Sequence, residues 1–194
     1  LLGFSLLLIF QRKKGLASPF SILNRDIIFD ETSISIPSLK ELLELETFAR
    51  KQGSGIEYSS LIGLWKFAYV WKKGTDKEDS TSSSFLRLFS ASLELREKSC
   101  REELFKFGMI NSIQFGSLQV RFVGSGELKG TQPLLPFFFE RIEIKLGDRI
   151  LLSRTLDLPD EKNRPFFALI AMEDSGRWLS ARGRGGGLAL WLKD

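Results

Sequence analysis

The sequence predicts a mainly β protein, a single antiparallel β-barrel with one N-terminal helix. About eight or nine short strand-like segments are separated by turn signals, and only one stretch has a convincing helical pattern. The chain has 17 Phe and 4 Trp against 2 Tyr, and such apolar rings favour strands and a bulky interior. A closed barrel is favoured because closure removes exposed strand edges.

The composition excludes several kinds of active site. The chain has no histidine, which rules out imidazole-based triads and His-ligated zinc. Cys100 is the single cysteine, so neither an internal disulfide nor a cysteine metal cluster can form. The net charge of +4 would suit an anionic membrane surface or nucleic acid without deciding between them. We therefore expect no catalytic residue, no metal site and no cofactor.

Residues 1–36 are expected to form an N-terminal segment, either disordered or the remnant of a targeting sequence. Leu1 to Phe10 is apolar but about half as long as a membrane-spanning helix requires. Basic residues follow this run, whereas in a secretory signal they precede it. Residues 37–194 are expected to form the one folded domain.

The predicted helix follows Pro37, a residue that is common in a first helical turn. Apolar residues then recur at helical spacing from Leu39 to Phe48, and the helix should end before Gly53. It could cap the open end of the barrel or pack on its outside. The polar, serine-rich stretch from Thr75 to Ser84 is expected to be an exposed loop.

Strict alternation from Leu61 to Lys72 predicts the first long strand. One face would carry four aromatic rings, at Trp65, Phe67, Tyr69 and Trp71. Further strands are predicted at 86–96, 104–115, 118–123, 137–146, 149–154, 166–172, 177–182 and 188–193. Turn signals at 147–148, 174–176 and 183–187 connect several of them as hairpins.

Two motifs resemble a known family. Gly63-Leu64-Trp65 resembles the Gly-x-Trp of lipocalins, in which the tryptophan closes the barrel floor and an arginine from the last strands covers its ring. The longer pattern resembles the plastid lipid-associated proteins, or fibrillins, whose leading strand reads Leu-x-Gly-x-Trp-x-Leu-x-Tyr. Here Leu61, Gly63, Trp65, Phe67 and Tyr69 follow that pattern, with Phe67 in the leucine place.

The end of the chain carries the second part of the resemblance. Arg182-Gly183, the glycines after it and the apolar run 188–192 match the family's ending in form. Before that ending the family has Tyr-Leu-Asp and a further acidic residue, where this chain has Gly176-Arg177-Trp178-Leu179. The resemblance covers the layout of residues 38–194 but only about twenty motif residues.

The resemblance implies a lipocalin-like barrel that binds lipophilic molecules without catalysis. The ligand would be a carotenoid, a quinone or another isoprenoid lipid. The protein would lie at a thylakoid membrane or a lipid droplet, in a chloroplast or in the cytoplasm of a cyanobacterium.

The wall of the expected ligand pocket consists of Trp65, Phe67, Tyr69 and Trp71, although aromatic residues at strand spacing more often fill a core. Gly63, Trp65 and Arg182 are expected to close the barrel, with Arg182 stacked on the Trp65 ring.

A membrane or headgroup rim is expected at five residues: Phe137, Phe138, Arg177, Trp178 and Arg184. The alternative for the Phe residues is a strand covered by the N-terminal helix. The glycine-rich stretch 182–187 resembles an RNA-binding Arg-Gly segment, but one copy between two strands favours a hairpin turn. No nucleic-acid partner is therefore expected.

Two other functions stay open. One is a lipocalin-like chromophore lyase, which would need a tetrapyrrole-sized cleft with converging polar groups. The other is a scaffold or assembly protein that acts through an exposed Phe and Arg surface.

Overall fold

The computed structural model describes residues 34–74, 78–98, 106–130 and 133–194. Nearly all of the expected N-terminal segment, as well as Cys100, lies outside these ranges. Three α-helices and nine β-strands are described, together with a short 3-10 helix at Glu161–Asn163. The helices are α1 (Leu39–Gln52), α2 (Tyr58–Leu61) and α3 (Ser80–Leu88).

The strands form a closed antiparallel barrel, which confirms the predicted fold class. Eight strands make the ring in the order β1-β9-β8-β7-β5-β4-β3-β2, and β6 pairs with β5 outside it. Their bounds are β1 Gly63–Trp71, β2 Ser92–Glu97, β3 Lys106–Phe115, β4 Leu118–Glu127, β5 Leu134–Leu146, β6 Arg149–Thr155, β7 Phe166–Met172, β8 Trp178–Gly183 and β9 Leu188–Lys193.

Helix α1 packs on the outside of the barrel. It begins with a capping box, in which the Ser38 hydroxyl accepts from the Glu41 backbone N–H and the Glu41 carboxylate accepts from the Ser38 backbone. Leu42, fully buried, lies in a cluster with Ile170 of β7 and Trp178 of β8. The helix therefore covers the wall of the barrel and leaves its end to other elements.

Helix α3 occupies part of the stretch that was expected to be a loop. Its first turn is capped by Asp79, whose carboxylate accepts from the Ser82 backbone N–H at 3.2 Å. Leu86 is buried in the barrel core, and the Ser83 hydroxyl accepts from the Val70 backbone at 3.0 Å. The strand that was expected at 86–96 accordingly begins only at Ser92.

Within the described ranges, one continuous cluster of side chains packs inside the barrel. A chain of ring contacts, with centroids 4.8 to 5.5 Å apart, crosses it through Phe67, Trp191, Phe167, Phe137, Phe139 and Phe122. At one end α2 covers the core, because Tyr58 stacks on Phe107 at 4.3 Å. At the other end Leu86 of α3 inserts into the same cluster.

Candidate functional site

A groove of about 340 Å³ lies outside the barrel, between α1 and strands β7 and β8. This volume falls at the lower end of the range for small-molecule sites. The groove is lined by Ala49 and Arg50 of α1, by the start of β5, by β7 and by the β8–β9 turn. Its apolar lining is Ala49, Pro133, Leu134, Phe166, Ala168, Leu169 and Ile170.

One wall of the groove is held by an ion pair. The guanidinium of Arg182 donates to both carboxylate oxygens of Glu46, at 2.6 and 2.5 Å, and also to the Gly186 carbonyl at 2.6 Å. Arg50 donates to Glu46 at 2.7 Å, one helical turn further along. Burial raises the pKa of the Glu46 carboxyl, but these hydrogen bonds outweigh it and hold the pKa below its ordinary value.

The β8–β9 turn places two further cations at the groove. Gly186 has a φ of +88°, and a Cβ there would lie 2.6 Å from the Lys73 side chain, so glycine allows the lysine to cross the turn. Arg184 in the same turn donates to the Arg164 carbonyl at 2.8 Å. In the described structure neither Lys73 nor Arg184 forms an ion pair with a carboxylate, and both are exposed.

The charges of the groove are unbalanced. Glu46 is the one acidic residue among the lining residues, which include four cations: Arg50, Lys73, Arg182 and Arg184. Close to Arg184, the Nε of Arg164 is buried without an acceptor in the described structure. An anion with an apolar tail is the kind of molecule that matches cations beside an apolar floor.

The expected aromatic wall does not share one face of β1. Trp65 and Phe67 belong to the interior cluster, whereas Tyr69 and Trp71 belong to the outer cluster under α1. The pairing of β1 with β9 shifts between Phe67 and Tyr69, so Ala68 is an extra residue and the alternation is inverted after it. The four rings therefore cannot line one pocket.

Lys193, and not Arg182, covers the Trp65 ring. Its Nζ lies 5.0 Å from the ring centroid, and Gly63 leaves room for it because a Cβ there would meet the lysine Cε at 2.9 Å. The Trp65 indole is fully buried and donates to the Leu61 carbonyl at 2.8 Å. Arg182 faces outward to Glu46, because its neighbours Ala181 and Gly183 alternate with it along β8.

The expected rim is not one surface. Phe137 is buried in the interior core and Trp178 in the outer cluster, which corrects both expectations. Arg177 is paired with Glu173 at 2.7 Å at a distant turn. Phe138 and Arg184 share one neighbour: the Arg164 guanidinium lies 4.9 Å from the Phe138 ring centroid, and the Arg164 carbonyl accepts from Arg184.

A polar cluster on β4 resembles a catalytic arrangement only in composition. The Ser125 hydroxyl accepts from Lys98 at 2.9 Å and donates to Glu140 at 2.9 Å. The hydroxyl therefore joins Lys98 to Glu140 through two hydrogen bonds, and Ser125 itself is buried.

Within the described ranges, no group of three or more Cys, Asp or Glu residues is placed to hold a metal ion. Nor does that part of the chain contain a helix long and apolar enough to cross a membrane.

Sequence reasoning missed Glu46, Arg50 and Lys73 as site residues. Glu46 and Arg50 are four residues apart on α1, a spacing that predicts an ordinary helical ion pair. The contact of Glu46 with Arg182 joins positions 136 residues apart, and no local pattern encodes it. The signal available in the sequence was the position of Glu46 on the apolar face of α1. A charged residue buried on such a face requires a partner, and Glu46 is indeed buried.

Comparisons with protein-family models, with curated proteins and with solved structures gave no match.

Proposed function

We propose that this protein binds a lipophilic molecule with an acidic head group, without catalysis, in the groove between α1 and the barrel wall. The observation that carries the proposal is the pairing of an apolar floor with four cations and one carboxylate. The ligand is proposed on the outer wall and not inside the barrel because the described side chains of the interior pack against one another.

The ionic state of the groove favours binding over catalysis. A general acid or base works best when its pKa lies near the working pH. The pKa of Glu46 is lowered by hydrogen bonds from Arg182 and Arg50 that outweigh its burial, so the group stays ionised at neutral pH. Glu46 then positions Arg182 and α1, while Lys73 and Arg184 are available to an anion.

The resemblance to fibrillins bears on the chemical class of the ligand and on the cellular location of the protein. It implies that the ligand is an isoprenoid or another lipid and that the protein lies at a thylakoid membrane or a lipid droplet. The cations of the groove favour, among such lipids, those with an acidic head group. The protein would act as a peripheral lipid carrier in a chloroplast or a cyanobacterium.

The proposal is tested by calorimetric titration with decyl phosphate, with decanol as the uncharged probe of the same chain length. We expect decyl phosphate to bind and decanol to bind at least about tenfold more weakly, because charge-assisted hydrogen bonds supply part of the affinity. The double variant Lys73→Ala/Arg184→Ala should weaken decyl phosphate binding by about tenfold or more.

A charge-matched control separates a site from general attraction. Lys40→Ala/Lys145→Ala removes two cations that lie outside the groove, and it should leave the affinity unchanged. Equal affinity for both probes, or equal losses in both double variants, would refute a headgroup site in the groove. No binding of either probe would refute the lipid-binding function itself.

A further inference from the structure

Arg164 lies directly beyond the cationic end of the groove. Its carbonyl accepts from the Arg184 guanidinium at 2.8 Å, and Arg184 lines the groove. Its own guanidinium lies 4.9 Å from the centroid of the Phe138 ring. Phe138 faces outward, because its neighbours Phe137 and Phe139 are both packed in the interior. The Arg164 side chain is therefore on the outer face of the sheet, the face that carries the groove.

Arg164 forms no ion pair with any residue that the structure describes. The acidic residues nearest to it along the chain are engaged elsewhere: Asp160 accepts from the Asn163 side chain at 3.4 Å. Glu161 pairs with Lys129 at 3.5 Å. The Arg164 Nε is buried without an acceptor among the described residues, so part of the hydrogen-bonding capacity of this guanidinium is unused. Because neighbouring cations repel each other, an anion that contacts both arginines would remove that cost.

In the part of the chain that the structure describes, three cations without carboxylate partners border the β8–β9 turn. Lys73 crosses the turn at Gly186. Arg184 belongs to the turn and is in hydrogen-bond contact with Arg164. The other two arginines of the groove already share the Glu46 carboxylate. A head group at this turn therefore meets three available cations, one more than the groove lining alone supplies.

The number of cations distinguishes between kinds of acidic head group. A carboxylate or a phosphodiester carries one negative charge and presents two unesterified oxygens. A terminal phosphate monoester carries about −1.5 to −2 charges at neutral pH and presents three acceptor oxygens. Three cationic donors at one place match the monoester, because each of them can make a charge-assisted hydrogen bond to an oxygen of the same phosphate.

We propose that Arg164 is a further head-group contact, and that it selects lipids with a terminal phosphate monoester over phosphodiester and carboxylate lipids. This assignment rests on the proposed function and names the chemical class of the head group. The apolar chain of the lipid would lie on the floor of the groove, between α1 and β7. The phosphate would lie at the β8–β9 turn and accept from Lys73, Arg184 and Arg164.

Calorimetric titration of the full chain at neutral pH with two matched probes tests the proposal. Decyl phosphate is the monoester, and methyl decyl phosphate is the singly charged diester with the same apolar chain. We expect the wild type to bind the monoester at least about tenfold more tightly than the diester. Arg164→Gln removes the charge but keeps a polar side chain. It should weaken monoester binding by about tenfold and diester binding by less than about twofold, so that the preference is lost.

Arg154→Gln is the matched control, because Arg154 is an exposed arginine on β6 that lies outside the groove. It should leave both affinities unchanged, and circular dichroism should show unchanged folding in both variants. Equal binding of the two probes by the wild type would overturn the assignment of the head group while leaving the proposed function in place. So would a preference for the monoester that survives in Arg164→Gln. Binding of neither probe would refute the proposed function, and the role of Arg164 with it.

Discussion

Truncation of Phe137 tests whether the barrel is filled. Its side chain is 3% exposed and lies between the rings of Phe139 and Phe167, at 5.5 and 5.0 Å. Phe137→Ala should lower the free energy of unfolding by about 3–5 kcal/mol, the usual cost of a truncated buried phenylalanine. For a domain of this size that corresponds to a fall in Tm of roughly 6–20 °C.

Phe138 supplies the matched control on the same strand. It is half-buried and faces outward, where it stacks with Arg164 at 4.9 Å. Phe138→Ala should lose that contact and some burial, in total about 1–2 kcal/mol. Urea unfolding followed by circular dichroism gives both values. A loss at Phe137 of about 1 kcal/mol or less, or one below that at Phe138, would refute a packed interior.

Two further predictions concern the wall of the groove and the close pairing of β4 with β5. Glu46→Gln should lower the free energy of unfolding by about 2 kcal/mol at pH 7 because Arg182 loses its charged acceptor. The folded-state pKa of Glu46 is lowered, so the stability difference between wild type and variant is fully present above the ordinary glutamate pKa of about 4.3 and should vanish as the pH falls through the folded-state pKa. Unfolding titrations from pH 7 to pH 3 measure this difference in the free energy of unfolding. A difference that stays constant over that range would contradict the ion pair. Gly124→Ala should cost at least about 3 kcal/mol, since a Cβ there would lie 1.9 Å from the Phe138 carbonyl oxygen. Gly108→Ala, with its nearest neighbour at 3.8 Å, should change the free energy by less than about 1 kcal/mol in the same unfolding assay, and similar losses at both glycines would contradict the described packing.

The fold was predictable because its signals are local. Alternation, turn residues and apolar runs gave β7 and β9 with the bounds that the structure has, and β5 and β6 within a few residues. Helix α3 was missed because serine is a weak helix former, and its stability comes from the Asp79 cap and from Leu86 in the core.

The site was less predictable than the fold, for two physical reasons. A single extra residue at Ala68 inverted the faces of β1, and no sequence pattern marks where a bulge occurs. The groove depends on contacts between α1 and the β8–β9 turn, such as Glu46 with Arg182, which only tertiary folding brings together. Arg182 was correctly singled out as a residue with a structural partner, but its partner was assigned wrongly.

Photocrosslinking tests most directly where a ligand binds. The protein would be saturated with an alkyl phosphate that carries a diazirine on its chain, irradiated, digested and mapped by mass spectrometry. We expect crosslinks at the groove, on Ala49, Leu134 or Ile170, and we expect excess decyl phosphate to abolish them. Crosslinks on the interior residues Phe67 or Trp191 would contradict this expectation, because they would show that the barrel opens to hold the ligand.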